Sequence, residues 1–264
     1  MQDAKFYDQR VAEKYPTSDN PEMDRVVSQI HEWCSVEDSA RVLDFGCFDG
    51  YTLRALRRRV NITGVGVDIS VDAVRLATEL TNADGLQFIV ADGISLPFPD
   101  GHFDVVVCSE ILEHVPDLDA VLSELARVLR VGGRLYATMP NSLAHVFPPL
   151  RPLCRRVDRI EGHVRRLTKD DFLGITRRYG FEPLRTQYRG FVFSALWYGT
   201  VIYNPRIKHA GISMITDGRS RLSGLAKRGA FAAMRCYLAA DGLFGLYQGC
   251  MGIDAAFVKS GIRD

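Results

Sequence analysis

Short runs of apolar, often β-branched residues alternate with amphipathic stretches over most of the chain. Such runs, bounded by glycine, proline or aspartate, are typical of buried strands, and apolar residues three and four apart are typical of helices. Strands that alternate with helices predict a mostly parallel sheet. The predicted strands are residues 41–43, 62–68, 86–90, 105–108, 131–139, 181–188 and 253–259, and predicted helices begin at Pro21, Tyr51, Ser70, Leu118 and Thr168.

The first strand leads into a turn that contains Gly46 and Gly50, and a helix follows at Tyr51. A strand, a glycine turn and a helix N-terminus form a cradle for a small molecule. A dinucleotide fingerprint needs glycine at the third and sixth positions of this turn, where the chain has Phe48 and Tyr51. Asp44 at the strand end would repel a pyrophosphate and attract an ammonium group. S-adenosylmethionine (SAM), which carries an ammonium group and no phosphate, therefore suits this turn better than a dinucleotide.

At these residues the chain resembles the class I SAM-dependent methyltransferases, in the branch that acts on small molecules, quinones and lipids. Their first motif is a strand ending in Asp/Glu-x-Gly-x-Gly or a relaxed form, which here reads Asp44-Phe45-Gly46-Cys47-Phe48-Asp49-Gly50. The proline-containing loop 96–104 and the turn and strand 131–139 also match, so the resemblance is continuous over residues 40–141. It implies an α/β fold: a Rossmann-like, seven-stranded, mostly parallel sheet with helices on both faces and an antiparallel strand 7.

The cofactor site is predicted at the carboxyl ends of the first strands, where open α/β sheets bind their ligands. Asp68 ends the second strand and can accept hydrogen bonds from two ribose hydroxyls; alternatively it caps the next helix. The resemblance assigns Asp92 to the adenine amino group, although Asp92-Gly93 also fits a plain turn. It also implies that Tyr7 or Tyr15 lies over the cofactor, unless these aromatics only pin an N-terminal arm. The predicted cofactor-binding residues are Asp44, Gly46, Cys47, Phe48, Gly50, Asp68, Ile69, Asp92, Gly93, Glu110 and Tyr15.

The acceptor site is predicted at the carboxyl ends of the fourth and fifth strands, where Glu110, Glu113, His114, Pro140 and Asn141 would lie near the methyl group. Methyl transfer is an in-line displacement at a carbon that the sulfonium already activates, so the enzyme chiefly aligns the acceptor and excludes water. A base is needed only where the acceptor loses a proton during attack, as a hydroxyl does. His114 is the predicted base, and His163 and Glu110 complete the predicted catalytic set.

The box Glu110-x-x-Glu113-His114 resembles the metal-binding box of two metal-dependent branches, the quinone-pathway O-methyltransferases and the small-RNA 2′-O-methyltransferases. Carboxylates and an imidazole can hold Mg²⁺ or Zn²⁺, which lowers the pKa of an acceptor hydroxyl, and His145 or His163 would be a fourth ligand. In metal-independent relatives the same segment only bonds nearby backbone and caps a turn. The expectation is therefore a site without metal, with Glu110, Glu113 and His114 as the candidate ligands.

Residues 142–170 are expected to form a long, proline-interrupted connection with a cluster of arginines. Within it, residues 162–168 resemble the Gly-His-x-Arg-x-x-Thr element of lipid- and quinone-type methyltransferases, which implies that His163 and Arg165 lie near the substrate mouth. A basic cluster suits an acidic acceptor or an anionic membrane surface, and a solvated face is the alternative.

The family pattern lapses over residues 191–252, which are rich in aromatic, aliphatic and basic residues. Such a composition suits an acceptor-pocket cover or a helix at a membrane surface; packing on the sheet or a homodimer surface is the alternative. The predicted organisation is an N-terminal arm and lid helix (1–36), a SAM-binding core (37–190), an insertion (191–252) and a closing strand (253–264).

Composition narrows the class of protein further. The 264 residues, 47% hydrophobic and 25% charged, fit one α/β domain with an insertion, and a net charge of +1 argues against a dedicated nucleic-acid binder. The six cysteines form no Cys-x-x-Cys pair and are expected to be free thiols in a reducing compartment. The N-terminus lacks a signal-peptide pattern and no apolar run could span a bilayer, so a cytoplasmic protein is expected, with peripheral membrane contact left open.

The sequence thus predicts a SAM-dependent methyltransferase that acts on a small organic or lipid-like acceptor, preferably at oxygen. C-methylation of a quinone or isoprenoid ring and a catalytically inactive SAM-binding protein are the alternatives. A nucleic-acid partner is not expected, and homodimerisation is left open.

Overall fold

A computed structural model describes residues 8, 21–82, 84–143, 146, 148–190 and 252–261. Seven strands form one sheet: β1 (Arg41–Phe45), β2 (Thr63–Asp68), β3 (Leu86–Val90), β4 (Phe103–Cys108), β5 (Leu129–Pro140), β6 (Phe181–Arg189) and β7 (Gly252–Lys259). The helices are α1 (Pro21–Trp33), α2 (Tyr51–Arg57), α3 (Val71–Glu79), α4 (Leu118–Val128), α5 (Arg151–Glu161) and α6 (Lys169–Arg177).

The strands lie in the order β3-β2-β1-β4-β5-β7-β6. Neighbouring strands from β3 to β5 are parallel, and β7 runs antiparallel to both β5 and β6. The predicted seven-stranded sheet with an antiparallel strand 7 is therefore confirmed. The chain proceeds from β1 toward one edge and then returns to place β4 on the other side of β1. This reversal opens a crevice at the carboxyl ends of β1 and β4, where doubly wound sheets bind ligands.

Alternation along the central strands creates a hydrophobic core on each face of the sheet. Leu43 and Val106 point into one core, whereas Val42, Val105 and Val107 point into the other. Successive side chains of a strand leave opposite faces, so a strand covered on both faces has to be apolar at every position. The β-branched runs that predicted these strands are a direct result of this burial.

The connection after β5 contains a helix that the sequence analysis did not predict. Residues 151–161 form α5, after a short 3₁₀ turn at Pro148–Leu150. Pro152 lies in the first turn of α5, where a helix has no use for the missing amide hydrogen. The prolines therefore start this helix instead of interrupting the segment.

Several expectations lie outside the described residues. These are the roles of Tyr7, Tyr15 and His145 and of nearly all of the insertion, although Gly252 belongs to β7 and not to the insertion. Near the N-terminus, Asp8 accepts a hydrogen bond of 2.5 Å from the Ser70 hydroxyl. The four cysteines that the structure describes are free and buried, and none of the described helices is long and apolar enough to cross a bilayer.

Replacing Phe257 by alanine should lower the free energy of unfolding by about 3–5 kcal/mol, because the ring is fully buried against Phe172 and Phe181 and its loss leaves a cavity. Leu184→Ala on the neighbouring strand β6 is the control: its side chain is 47% exposed, and the change should stay within about 0.5 kcal/mol. Urea denaturation followed by circular dichroism measures both. Equal losses would contradict the placement of Phe257 in the core.

Candidate functional site

A cavity opens at the carboxyl end of the sheet, beside the point where the strand order reverses. Five of the predicted site residues line it: Gly46, Asp68, Ile69, Asp92 and His114. Most of its wall is apolar and is formed by Phe45, Val67, Ala91, Ile94, Ile111 and Val121. The polar side chains are few: Asp68 follows β2, Asp92 follows β3, and His114 and Asp117 follow β4.

The glycine turn follows β1 and forms the floor of this cavity. Gly46 has a φ of +78°, and a Cβ atom there would lie 2.1 Å from the Ile111 side chain, so only glycine fits. The amides of Gly46 and Cys47 donate to the Val67 carbonyl over 2.7 and 3.0 Å, which ties the turn to β2. Gly50, with a φ of +73°, starts α2 in the left-handed conformation.

Asp68 joins this turn to the end of β2. One carboxylate oxygen accepts the amide of Phe48 over 2.9 Å, and the other accepts the amide of Ser70 over 3.0 Å. The capping of α3 falls to the Ser70 hydroxyl, which accepts the Ala73 amide. Asp68 therefore does not have to cap α3, and its carboxylate reaches the cavity. An ionised carboxylate can accept up to about four hydrogen bonds, a chemistry that also suits the hydroxyl donors of a ligand.

Asp92 shows both features that the sequence left as alternatives. Its carboxylate accepts the Ile94 amide over 3.0 Å, which makes a local turn, and the residue also lines the cavity. Gly93 has a φ of +80°, and a Cβ atom would lie 2.2 Å from the Phe45 ring. The turn therefore depends on glycine, and it holds an exposed acid at the rim.

Asp44 lies beneath the glycine turn and is 3% exposed. Burial first, and then the nearby carboxylates of Asp68 and Asp49, raise the pKa of Asp44 to about 7. Its Oδ2 has no hydrogen-bond partner among the described residues. A buried acceptor without a donor is unfavourable, and a ligand ammonium group would supply that donor. Cys47 is buried as well, and burial raises the pKa of its thiol well above the usual value.

The carboxylate of Glu110 contacts residues of β5 and β6. Its carboxylate accepts the Thr138 hydroxyl over 2.6 Å and forms an ion pair with Arg189, which also bonds the buried Asp254. Desolvation raises the pKa of Glu110, but Arg189 and Thr138 outweigh it, so the pKa lies below its usual value. The backbone of Glu110 has a φ of 56°, which a non-glycine residue rarely adopts.

His114 lies in a loop that the segment after α5 holds in place. Arg165 donates from one nitrogen to the carbonyls of Leu112 (2.7 Å) and Val115, and from another to that of Pro116 (2.8 Å). The Val164 amide donates to the Glu113 carbonyl over 2.9 Å. The loop is thus fixed by four hydrogen bonds to its carbonyl groups. Arg165 accordingly positions the wall of the cavity.

Glu113, His114 and His163 form a cluster behind this wall. One potential ligand atom from each lies within 4.8 Å of the others, and the two imidazole rings meet edge to face. Glu113 is fully buried, and neither of its carboxylate oxygens has a hydrogen-bond partner among the described residues. His163 bonds Asp158 through Nδ1 over 2.7 Å, and Arg166 bonds both oxygens of Asp158. A carboxylate that orients an imidazole in this way is common behind metal-binding and proton-accepting histidines.

Sequence reasoning did not assign the residues that shape the wall near His114. Ile111, Val115, Pro116 and Asp117 all line the cavity. Asp117 also caps α4 by accepting the Ala120 amide over 2.9 Å. The available signal was an apolar stretch between the end of β4 and a helix cap, at the edge of the sheet where ligands bind.

The sheet has a Rossmann-like order of strands, and its cavity is lined by the hydrogen-bond acceptors Asp68 and Asp92. Residues 43–137 match the family model described as a methyltransferase domain. The resemblance to class I SAM-dependent methyltransferases is thus confirmed over these residues. The match covers the strands and turns that build the cavity, from β1 into β5.

Three relatives extend this finding. The chain is 36% identical over 116 residues to methyltransferase GfsG of Streptomyces halstedii, covering 42% of each chain. It is 28% identical over 211 residues to a fatty-acid O-methyltransferase of Mycolicibacterium smegmatis, covering 67% of this chain and 77% of the relative. It is 43% identical over 95 residues to the 2-methyl-6-phytyl-1,4-hydroquinone methyltransferase of Synechocystis, covering 36% of this chain and 30% of the relative. The chain thus spans less than half the length of two of these relatives.

The fold also agrees with a solved structure of phosphoethanolamine N-methyltransferase 2 from Haemonchus contortus in complex with SAM. The TM-score is 0.66 at 16% identity, over 97% of this chain and 58% of that chain. At this identity the likeness establishes the fold alone.

The affinity for SAM should rise with pH between about 5 and 7, by up to tenfold per unit, because the ligand ammonium favours the ionised form of Asp44, whose pKa is about 7. Titration calorimetry at several pH values measures this. Asp44→Asn should remove the pH dependence of SAM affinity. The control Asp72→Asn, at a residue that does not line the cavity, should keep it. A slope that survives in Asp44→Asn would show that another group is responsible. The stability of the ligand-free protein should change in the opposite direction. Because the pKa of Asp44 is raised on folding, the free energy of unfolding falls as pH rises from about 4 to about 7.

Proposed function

We propose that the protein transfers the methyl group of SAM to a small organic or lipid-like acceptor, with a hydroxyl oxygen as the preferred atom. The observation that carries the proposal is one cavity lined by Asp68 and Asp92, after β2 and β3, and by His114, after β4 on the other side of β1. Two carboxylates after β2 and β3 suit the ribose and the adenine of the cofactor, and they leave the side of His114 for the acceptor. The apolar wall between them suits an uncharged or lipid-like acceptor.

The roles of the side chains follow from the reaction. The acceptor oxygen forms a bond to the methyl carbon while the carbon–sulfur bond breaks, and the sulfonium becomes a neutral thioether. One proton leaves the hydroxyl, and in this proposal His114 accepts it. The loop that Arg165 holds keeps His114 and the apolar wall aligned, which is the main requirement of an in-line displacement. Glu110, paired with Arg189, positions the chain after β4.

Names of the relatives support the acceptor class. The Mycolicibacterium relative is a fatty-acid O-methyltransferase, and the Synechocystis relative methylates a hydroquinone. Both names describe apolar small molecules, which fits the apolar cavity wall. C-methylation of a quinone or isoprenoid ring is the rival within this class, and it needs no base as strong as an imidazole. A SAM-binding protein without catalysis is the rival outside it.

His114→Ala should lower kcat for a hydroxyl acceptor by about 10²–10⁴, because the hydroxyl proton loses its acceptor. Affinity for S-adenosylhomocysteine, measured by calorimetry, should change less than about threefold. Tritiated SAM with a panel of fatty acids, phenols and hydroquinones measures turnover. The matched control is His31→Ala in the last turn of α1, which should leave turnover unchanged. Full turnover of His114→Ala on a phenol or hydroquinone would exclude the base role, and absence of wild-type turnover on every acceptor would favour the inactive alternative.

Metal-assisted transfer is the second candidate, because the cluster of Glu113, His114 and His163 fits a divalent ion. Glu113 offers carboxylate oxygens without partners, His114 and His163 offer imidazoles, and Asp158 orients His163. Ligands on one Zn²⁺ lie about 3.4 Å apart for bonds near 2.1 Å, so the cluster would contract slightly around it. Such an ion supplies Lewis acidity toward the acceptor hydroxyl. Glu110, engaged by Arg189, would not join this set.

If this candidate holds, treatment with EDTA should lower turnover at least tenfold, and Mg²⁺ or Zn²⁺ should restore it. Calorimetry of Zn²⁺ into chelator-treated protein gives a readout apart from activity. Glu113→Gln should abolish that binding, because the amide cannot replace a charged ligand, whereas Glu110→Gln should retain it. Turnover that is indifferent to EDTA would remove the metal and leave His114 as the base.

A further inference from the structure

We propose that helix α5 docks the protein on an anionic lipid surface. The docking surface, called here the α5 basic face, consists of Arg155, Arg156, Arg159, Ile160 and Val164. All five residues are exposed. The inference goes beyond methyl transfer itself. It rests on the geometry of the helix, the charge that the helix presents and its connection to the loop of His114.

The helix separates its charged and buried sides sharply. At 100° per residue, the three arginines fall within an arc of about 100°. The opposite side packs inward: Cys154 is 2% exposed, and Asp158 bonds His163 and Arg166. The positive charges therefore point together to the outside. A basic face of this kind can contact an anionic surface through its charges.

The positive charge on this face is locally concentrated. Among the described residues, Arg155 and Arg159 have no ion-pair partner, and the carboxylate of Asp158 is already held by Arg166 and His163. The whole chain carries a formal charge of only +1, so three arginines within five residues are a local concentration. Guanidinium groups bind phosphate oxygens through paired hydrogen bonds, which suits lipid headgroups.

Two exposed aliphatic side chains accompany the arginines. Ile160 is 39% exposed and Val164 is 58% exposed. Aliphatic groups next to basic ones gain free energy by entering the boundary between headgroups and acyl chains. A single-stranded nucleic acid would instead be expected to stack its bases on aromatic rings, and the α5 basic face contains none. The combination therefore favours a lipid surface over RNA.

The position of α5 in the fold connects this surface to the catalytic cavity. Helix α5 follows β5, whose end pairs with Gly252 at the start of β7, and Arg189 at the end of β6 pairs with the same glycine. Asp158 of α5 bonds His163 and Arg166, in the segment that also contacts the loop of His114. Val164 itself bonds the Glu113 carbonyl in the loop of His114. Provided that the proposed function holds, a lipid-like acceptor would come from this side.

Flotation of the full-length protein with vesicles tests the surface directly. Wild-type protein should float with phosphatidylcholine vesicles that contain about one third phosphatidylserine, and should not float with phosphatidylcholine alone. Binding should weaken as NaCl is raised to 0.5 M, because surface charges are screened. The triple variant Arg155→Gln, Arg156→Gln, Arg159→Gln should partition at least tenfold less, since each basic residue near such a surface contributes roughly a fivefold factor. Ile160→Ser should weaken binding by about threefold or more.

The matched control removes the same charge from other faces: Arg75→Gln, Arg130→Gln, Arg178→Gln, all in exposed ion pairs. It should float within twofold of the wild type. Equal flotation of the α5 variant and the wild type, or failure of the wild type to bind anionic vesicles, would overturn the proposal. Binding to an RNA oligonucleotide without vesicle binding would overturn it in favour of nucleic acid. Because the assay contains neither SAM nor acceptor, its outcome is independent of the proposed reaction.

Discussion

The carboxylate of Asp68 ties together the turns that follow β1 and β2, beside the cavity. One oxygen accepts the Phe48 amide from the turn after β1, and the other accepts the Ser70 amide after β2. Bonds from amides to an ionised carboxylate are stronger than bonds between neutral groups, so the two strand ends keep a fixed spacing. The cavity floor at Gly46 and its wall at Ile69 both depend on that spacing. Asp68 thus lines the cavity and also holds together the two turns that form it.

The acceptor side is built on a different principle. It depends on a segment that contacts main-chain carbonyls, with Arg165 and the Val164 amide fixing the loop of His114. The loop sequence can then vary without losing these bonds, since every residue has a carbonyl group. Beneath it, Asp158 orients His163, and Arg166 fixes Asp158. The turns after β1 and β2 thus depend on the identity of one side chain, whereas the loop of His114 depends on contacts to its backbone.

The sequence predicted the strands because strands covered on both faces have to be apolar throughout, as Val105–Val107 show. It also brought Asp68 and Asp92 to one cavity, since parallel strands end at a common edge. Three features escaped it, each for a physical reason. Glu110 meets Arg189, 79 residues away, only after β6 and β7 pair. Helix α5 was hidden by prolines that a first helical turn tolerates. The targets of Arg165 are carbonyl groups, which leave no signal in the residue types.

The pairing of Arg189 with Gly252 has an evolutionary consequence. Opposed residues of antiparallel strands lie about 5 Å apart, so the two positions that bracket residues 190–251 are close together in the sheet. Segments entering and leaving at such a junction can be lengthened, shortened or swapped while the parent domain keeps its own folding unit. Related proteins could thus differ in this one segment, and in the molecules that it contacts, while the sheet and its cavity stay the same.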